Sequence, residues 1–466
     1  MIYDERYYDW IPLNKRDKLS LGHLMAVASA NLIPRLLMNI AFSYFHPLCL
    51  TIGIDSISNL LLLFGSIIDF FFTPFFGSIS DGVMLKLGRR RIFIIIGTII
   101  ALISLSLLIF CQTFGSLYKE EFLAKKVILI LSIELLFASI TLIQSPARTL
   151  CSDITPHNQQ NLMSHVCQFF IGFAPILPNI LYGINVHLSR ITPAELFLII
   201  NVIMSIIALI VSCIAGREEP LHEKPSTVNP FRHMANAFKE MPKPLYRILL
   251  PYLFANAALF QFLYKFTEFM GSYIFQTEYS LENGQLDYKL FSDGICFGML
   301  CMAVNNGCQL IYSFINYIIV KKFGMKWTFL VGNAILSIML LLFILFRQKY
   351  AYMLIAGIIG ICQVIVNAIP TAIASIVIHT EDLGINLGIL NSIGLIGQQI
   401  SNLAYAALIS VSVLKHRPKY LIGFSSVFGL IATLLSLFVI EPTPVETDNY
   451  SDINDEAGYN GFSMID

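Results

Sequence analysis

Lys86-Leu87-Gly88-Arg89-Arg90-Arg91-Ile92-Phe93-Ile94-Ile95-Ile96 crowds four basic side chains into six positions and then turns apolar. A hydrocarbon layer about 30 Å thick is crossed by roughly 20 helical residues, so the stretch reads as a basic turn opening a membrane span at 92–112. Working outward, comparable apolar segments lie at 21–48, 57–79, 127–150, 162–186, 194–214, 248–273, 291–318, 327–346, 351–379, 384–412 and 420–440. Backbone groups in lipid must be bonded within their own segment, so spans of this length are helices. The expectation is an all-α membrane protein with twelve transmembrane helices. Composition agrees: of 466 residues 56% are apolar and only 13% charged, and the mean hydropathy is +0.71. A globular domain carries about twice that charge fraction.

The same basic turn helps to orient the chain. Twelve crossings put both termini on one side, and that side collects seventeen of the 30 Lys and Arg residues, against ten in the opposite loops. The remaining three, Arg35, Arg148 and Lys265, fall inside spans. An excess of basic loop residues marks the cytosolic side, so both termini are expected in the cytosol. The opening residues lack the basic-then-apolar order of a cleavable signal, so the first span is expected to stay. The 30 acidic residues balance the 30 basic ones, and nothing points to nucleic acid. Nine cysteines scattered through apolar segments without C-x-x-C spacing argue against a metal site or a disulfide framework. G-x-S-x-G, H-E-x-x-H and phosphate-loop patterns are absent from the sequence, so neither an enzyme nor a cofactor is expected.

Lys86-Leu87-Gly88-Arg89 has an echo in Lys322-Phe323-Gly324-Met325-Lys326, 236 residues later. Between them lies a basic, proline-containing connection at 215–247. The expected organisation is a cytosolic segment 1–20, a six-helix bundle 21–214, the cytosolic linker 215–247, a second six-helix bundle 248–440 and an acidic cytosolic tail 441–466. Such a layout is that of major facilitator transporters, where substrate sits between the halves near the midplane.

Gly77-Ser78-Ile79-Ser80-Asp81 followed by Gly88-Arg89-Arg90-Arg91 resembles the sucrose-transporter group of the glycoside–pentoside–hexuronide cation symporters. Gln144-Ser145-Pro146-Ala147-Arg148 and Asp153 are similar to that group's motif at the cytosolic end of helix four. Phe266-Thr267-Glu268-Phe269-Met270-Gly271, Gly294 to Gly298, and Leu387-Gly388-Ile389-Leu390-Asn391 with Gln398 extend the resemblance over residues 20–440. It implies a multi-pass carrier of a sugar (sucrose, another glucoside or a hexose) in the plasma membrane or an endomembrane, with protons as co-substrate. The chain departs from the pattern at Phe137, where the group has an acid, and at Cys296, where it has an arginine. Those losses keep open a non-transporting sugar sensor or scaffold, or a uniporter of another small organic solute.

Ionisable side chains inside spans are expensive and mark function or pairing. Proton coupling needs a carboxyl that alternates between protonated and ionised states; the candidates are Glu268, whose counterpart in the group is acidic, Glu134, one turn from Phe137, and Asp69. Arg35 and Asp69 lie on neighbouring spans at similar depth and are expected to pair. For substrate contact or gating the candidates are Arg35, Asn39, Gln144, Arg148, Asp153, Lys265, Asn391 and Gln398, with Tyr44, Phe262 and Phe266 as rings for a sugar face. In the loop motif, Gly77 is expected to let its helix approach a neighbour, Asp81 to accept from a donor at the cytosolic mouth, and Arg89, Arg90 and Arg91 after Gly88 to anchor helix three at the anionic leaflet.

Overall fold

The computed structural model describes residues 13–52, 55–81, 83, 85, 87–111, 120–186, 191–218, 236–276, 287–378, 383–409 and 418–442. Their long elements are α1 (Leu21–Tyr44), α2 (Asp55–Asp81), α3 (Arg91–Ile109), α4 (Glu121–Ile154), α5 (Leu162–Gly183), α6 (Pro193–Ala215), α7 (Lys243–Ile274), α8 (Tyr288–Phe323), α9 (Met325–Leu345), α10 (Lys349–Val377), α11 (Leu383–Ile409) and α12 (Lys419–Ser436). Among the described residues ten helices are long and apolar enough to cross a membrane. The other two predicted spans, 57–79 and 384–412, correspond to the helices α2 and α11, each 27 residues long. The protein is an all-α membrane protein that crosses the bilayer many times. Large apolar side chains such as Ile103, Ile207, Ile214, Leu341 and Leu354 face outward, an arrangement that lipid accepts and water does not.

Helix starts follow local chemistry. Thr192 caps α6 by accepting from the Glu195 N–H while the Glu195 carboxylate accepts from the Thr192 N–H, a reciprocal box that satisfies two otherwise orphaned donors. Asp287 accepts from the Lys289 and Leu290 N–H groups and starts α8.

Two apolar clusters form the core. The first is built almost wholly from residues between Leu13 and Ala208, the second from residues between Leu245 and Val439. The halves meet chiefly where α5 packs on α8 and α2 on α11. A six-helix offset exchanges these two contacts, so they are one contact seen twice. Both are tight: a Cβ at Gly172 of α5 would lie 2.7 Å from the Leu310 N of α8, and one at Gly77 of α2 would lie 3.2 Å from the Gly384 O of α11. Other features repeat in the same way. Each half opens with a helix carrying one π turn, Ile40–Tyr44 in α1 and Met270–Ile274 in α7. Gly88 before α3 and Gly324 before α9 both take positive φ, 107° and 84°, a region open to glycine at little cost.

At each of these glycine turns a distant glutamate caps the next helix. Both Glu218 carboxylate oxygens accept from the Arg90 N–H, at 3.0 and 3.1 Å. Glu441 accepts from the Met325 N–H at 3.2 Å and the Lys326 N–H at 2.8 Å. Carboxylates at helix N-termini satisfy free donors and complement the helix dipole. The arginines after Gly88 differ from the expected leaflet anchors. Arg90 is fully buried, and Arg91 donates from Nη1 to the Cys213 carbonyl at 3.0 Å. Turning inward gives each guanidinium a protein partner that the lipid surface would not fix in place. The Asp81 side chain lies outside the described residues.

Candidate functional site

A cavity of about 90 Å³ lies between the halves. α1 contributes Arg35 and Phe42, α4 contributes Gln144 and Arg148, α7 contributes Tyr252 and Phe260, α10 contributes Gln363, and α11 contributes Asn391 and Gln398. A smaller space of about 30 Å³ adjoins it toward the end of the molecule that carries the Arg89–Arg91 turn, and Arg148 and Asn31 line both. Polar side chains therefore converge from both halves onto one interior space, the usual form of a small-molecule site.

Two hydrogen bonds from residues that line that space reach the other half. Gln144 Nε2 donates to Asn391 Oδ1 at 2.7 Å, and Arg35 Nη2 donates to Asn306 Oδ1 at 3.2 Å. From Asn306 the polar network continues through Gln309, which donates to Asn305 Oδ1 at 2.9 Å and to Gln363 Oε1 at 2.6 Å. On either side of the cavity the halves touch again. Toward the arginine-turn end His165 Nε2 meets Asn316 Nδ2 at 3.1 Å, and toward the opposite end the Thr267 hydroxyl donates to the Ser43 carbonyl at 2.8 Å.

The expected Arg35–Asp69 pair is not formed. Arg35 turns to Asn306 across the interface, while Asp69 accepts from the Thr73 hydroxyl one turn along its own helix. The charge of Arg148 acts weakly on the Asp69 carboxylate, without an ion pair between them. Asp153 pairs with Arg89 at 2.7 Å and Arg90 at 3.0 Å, tying the end of α4 to the turn before α3. Lys265 and Glu268 pair at 3.2 Å on α7, with Lys265 also over the rings of Tyr264 and Tyr405.

Several sequence candidates stand apart from the cavity. Asn39 exchanges hydrogen bonds with Asn179 inside the first half. Glu134, half-buried on α4, does not line the space, and Phe137 one turn on packs against Gly65 of α2. Tyr44, Phe262 and Phe266 are packed in the core away from the cavity, and the rings that line it are Phe42, Tyr252 and Phe260 instead. Helical spacing alone does not say which face of a span is inward. Gln309, Gln363 and His165 were missed, although amides and an imidazole in otherwise apolar spans are themselves a signal of inward orientation.

Residues 19–311 match the Major Facilitator Superfamily. The chain belongs to that superfamily. It is therefore a transporter and not an enzyme. A "Membrane-associated transporter protein" of Mus musculus is 19% identical, over 76% of this chain and 79% of its own length. "Sucrose transport protein SUC4" of Arabidopsis thaliana is 24% identical and covers 92% of each chain. Among solved structures, that of a bacterial homologue of the iron transporter ferroportin in its outward-facing state superposes with a TM-score of 0.53 at 11% identity, over 88% of this chain and 98% of that one. That likeness concerns the fold.

Proposed function

We propose that this major facilitator protein is a proton-coupled sugar carrier working by alternating access, with both termini in the cytosol. The observation that carries the reading is the interior cavity lined by amides and guanidiniums from both halves and bridged by Gln144–Asn391 and Arg35–Asn306. A sugar hydroxyl can replace each side of such an amide bridge, so substrate entry and separation of the halves become one event. The likeness to a sucrose transport protein supports the sugar class. The seventeen basic residues on the terminal side support the orientation.

For coupling, Asp69 is the best placed of the three carboxyl candidates. It is buried behind the cavity wall, hydrogen-bonded by Thr73 and within the field of Arg148. Protonation of Asp69 would free the Arg148 charge to act on the cavity, which ties a proton to the state of the site. Glu268 is already matched by Lys265 away from the cavity. Uptake of radiolabelled sugars into proteoliposomes, with and without an imposed proton gradient, tests the reading. Gradient-driven accumulation is expected in the native protein. In Asp69→Asn it should vanish while equilibrium exchange persists. Uptake indifferent to the gradient in the native protein would remove the coupling.

A further inference from the structure

A larger space than the central cavity lies on the outside of the second half. It is a groove of about 370 Å³, against about 90 Å³ for the cavity. Leu250, Pro251 and Leu253 of α7, Ile393 of α11, Leu435 of α12 and Phe438 just beyond it form the apolar walls. Leu250 and Phe438 face outward, so the groove opens toward lipid and not toward the substrate path. Its depth suits one leaflet. From Arg247 at the polar end to Leu253 is six residues, about 9 Å of helix, within the roughly 15 Å that each leaflet contributes to the hydrocarbon layer.

The polar end is basic. Arg247 lines the groove, Lys243 stands one turn earlier on the same face of α7, and both are exposed. Among the described residues neither side chain makes a hydrogen bond or ion pair. Pro251 lacks the N–H that would bond the Arg247 carbonyl one turn back, which leaves an acceptor beside the two cations. The Tyr246 ring lies edge-on to Phe238 at the same end, centroids 6.4 Å apart, as aromatic rings do at the level of lipid headgroups. This end is that of the Gly324 turn, because Glu441, three residues after Phe438, caps α9 there. In the orientation proposed above it faces the cytosol, where anionic phospholipids collect. The arginines of the Gly88 turn point inward, so the leaflet contact expected of them falls to Lys243 and Arg247.

A guanidinium grips phosphate oxygens through paired donors, and basic pockets between transmembrane helices on the cytosolic side suit anionic headgroups. We infer that the groove is a binding site for one anionic phospholipid, its phosphodiester on Arg247 and Lys243 and an acyl chain lying along α7, α11 and α12. Such a site is independent of the solute carried and takes from the function proposed above only the orientation. The test is native mass spectrometry of the full-length protein in detergent, titrated with palmitoyl-oleoyl phosphatidylserine or phosphatidylcholine. Detergent imposes no sidedness, so the result depends neither on orientation nor on transport. One phosphatidylserine is expected to bind about tenfold more tightly than phosphatidylcholine. Arg247→Gln should weaken it about fivefold, the usual worth of one basic residue at an anionic headgroup, with Arg247→Lys recovering part of the loss. Leu250→Trp, which fills the groove from an outward-facing position, should weaken it too. Lys18→Gln removes an equal charge from an exposed position on the first half and should leave it unchanged. Glycerophosphoserine, the same headgroup without chains, should not compete at equal concentration. Equal affinity for the two lipids, or equal losses in Arg247→Gln and Lys18→Gln, overturns the site. Competition by glycerophosphoserine assigns the basic pair to a soluble phosphodiester and also overturns it, as does a dimer that Leu250→Trp dissolves, which gives the groove to a second copy of the chain.

Discussion

Arg90 carries more of the structure than its place in a basic turn suggests. Its side chain is fully buried, its Nε donates to Asp153 and its Nη1 to the Ser80 hydroxyl, while its backbone N–H meets Glu218. One residue thus joins α2, α3, α4 and the segment following α6. Removing one partner of a buried ion pair leaves the other uncompensated and costs about 3–5 kcal/mol. Arg89 still reaches Asp153 at 2.7 Å, so Arg90→Ala should fall at the low end, about 3 kcal/mol, read as a lowered thermal midpoint in detergent. Arg89, half-buried at the rim, should tolerate alanine with a loss of about 1 kcal/mol or less. Equal losses in the two variants would contradict the division of labour drawn from their burial.

At the level of helices, the two capping glutamates form a matched pair. Glu218 serves α3 and Glu441 serves α9, and they share no partner. Each alanine substitution should cost about 1 kcal/mol, the usual worth of a helix cap, and the double variant should show the sum, as expected for independent sites. Glu218 also titrates in an informative way. Burial pushes its carboxyl above the ordinary value of 4.5, against the pull of the Arg90 N–H and the neighbouring arginines. The native state therefore holds this proton more tightly than the unfolded chain does. Its contribution to stability is fully present below pH 4.5 and declines as pH rises from there through the raised native value. Thermal midpoints measured from pH 4 to 7 should show this decline in the native protein and a flatter profile in Glu218→Gln; identical profiles would exclude Glu218 as the source.

Considered as a whole, the molecule is two similar halves whose relative position is set by glycine contacts and a few polar bridges. α5 and α8 touch where Gly172 lies against the backbone of Leu310. A larger side chain there must push the halves apart, because the nearest atom is main chain and cannot yield. Gly172→Leu should therefore leave the helical content measured by circular dichroism intact and abolish proteoliposome uptake. Uptake at native rates in that variant would show that α5 and α8 need not approach so closely during transport.

Much of the fold was legible before any coordinates. Hydropathy is a local property, and each span satisfies its own backbone hydrogen bonds, so twelve helical segments could be placed from composition and length. Gly88 and Gly324 announced the duplicated turn because a positive φ costs least in a residue without a Cβ. The pairing of charged and polar groups obeyed no local rule. Arg35 met Asn306, 271 positions away, rather than Asp69 on the adjacent span; Asp153 met the arginines of the turn; and Glu218 reached back 128 positions to cap α3. Hydropathy and spacing state what a side chain needs, a partner out of lipid. Which partner it finds depends on how the two halves rotate and pack, and packing joins residues that the chain keeps far apart.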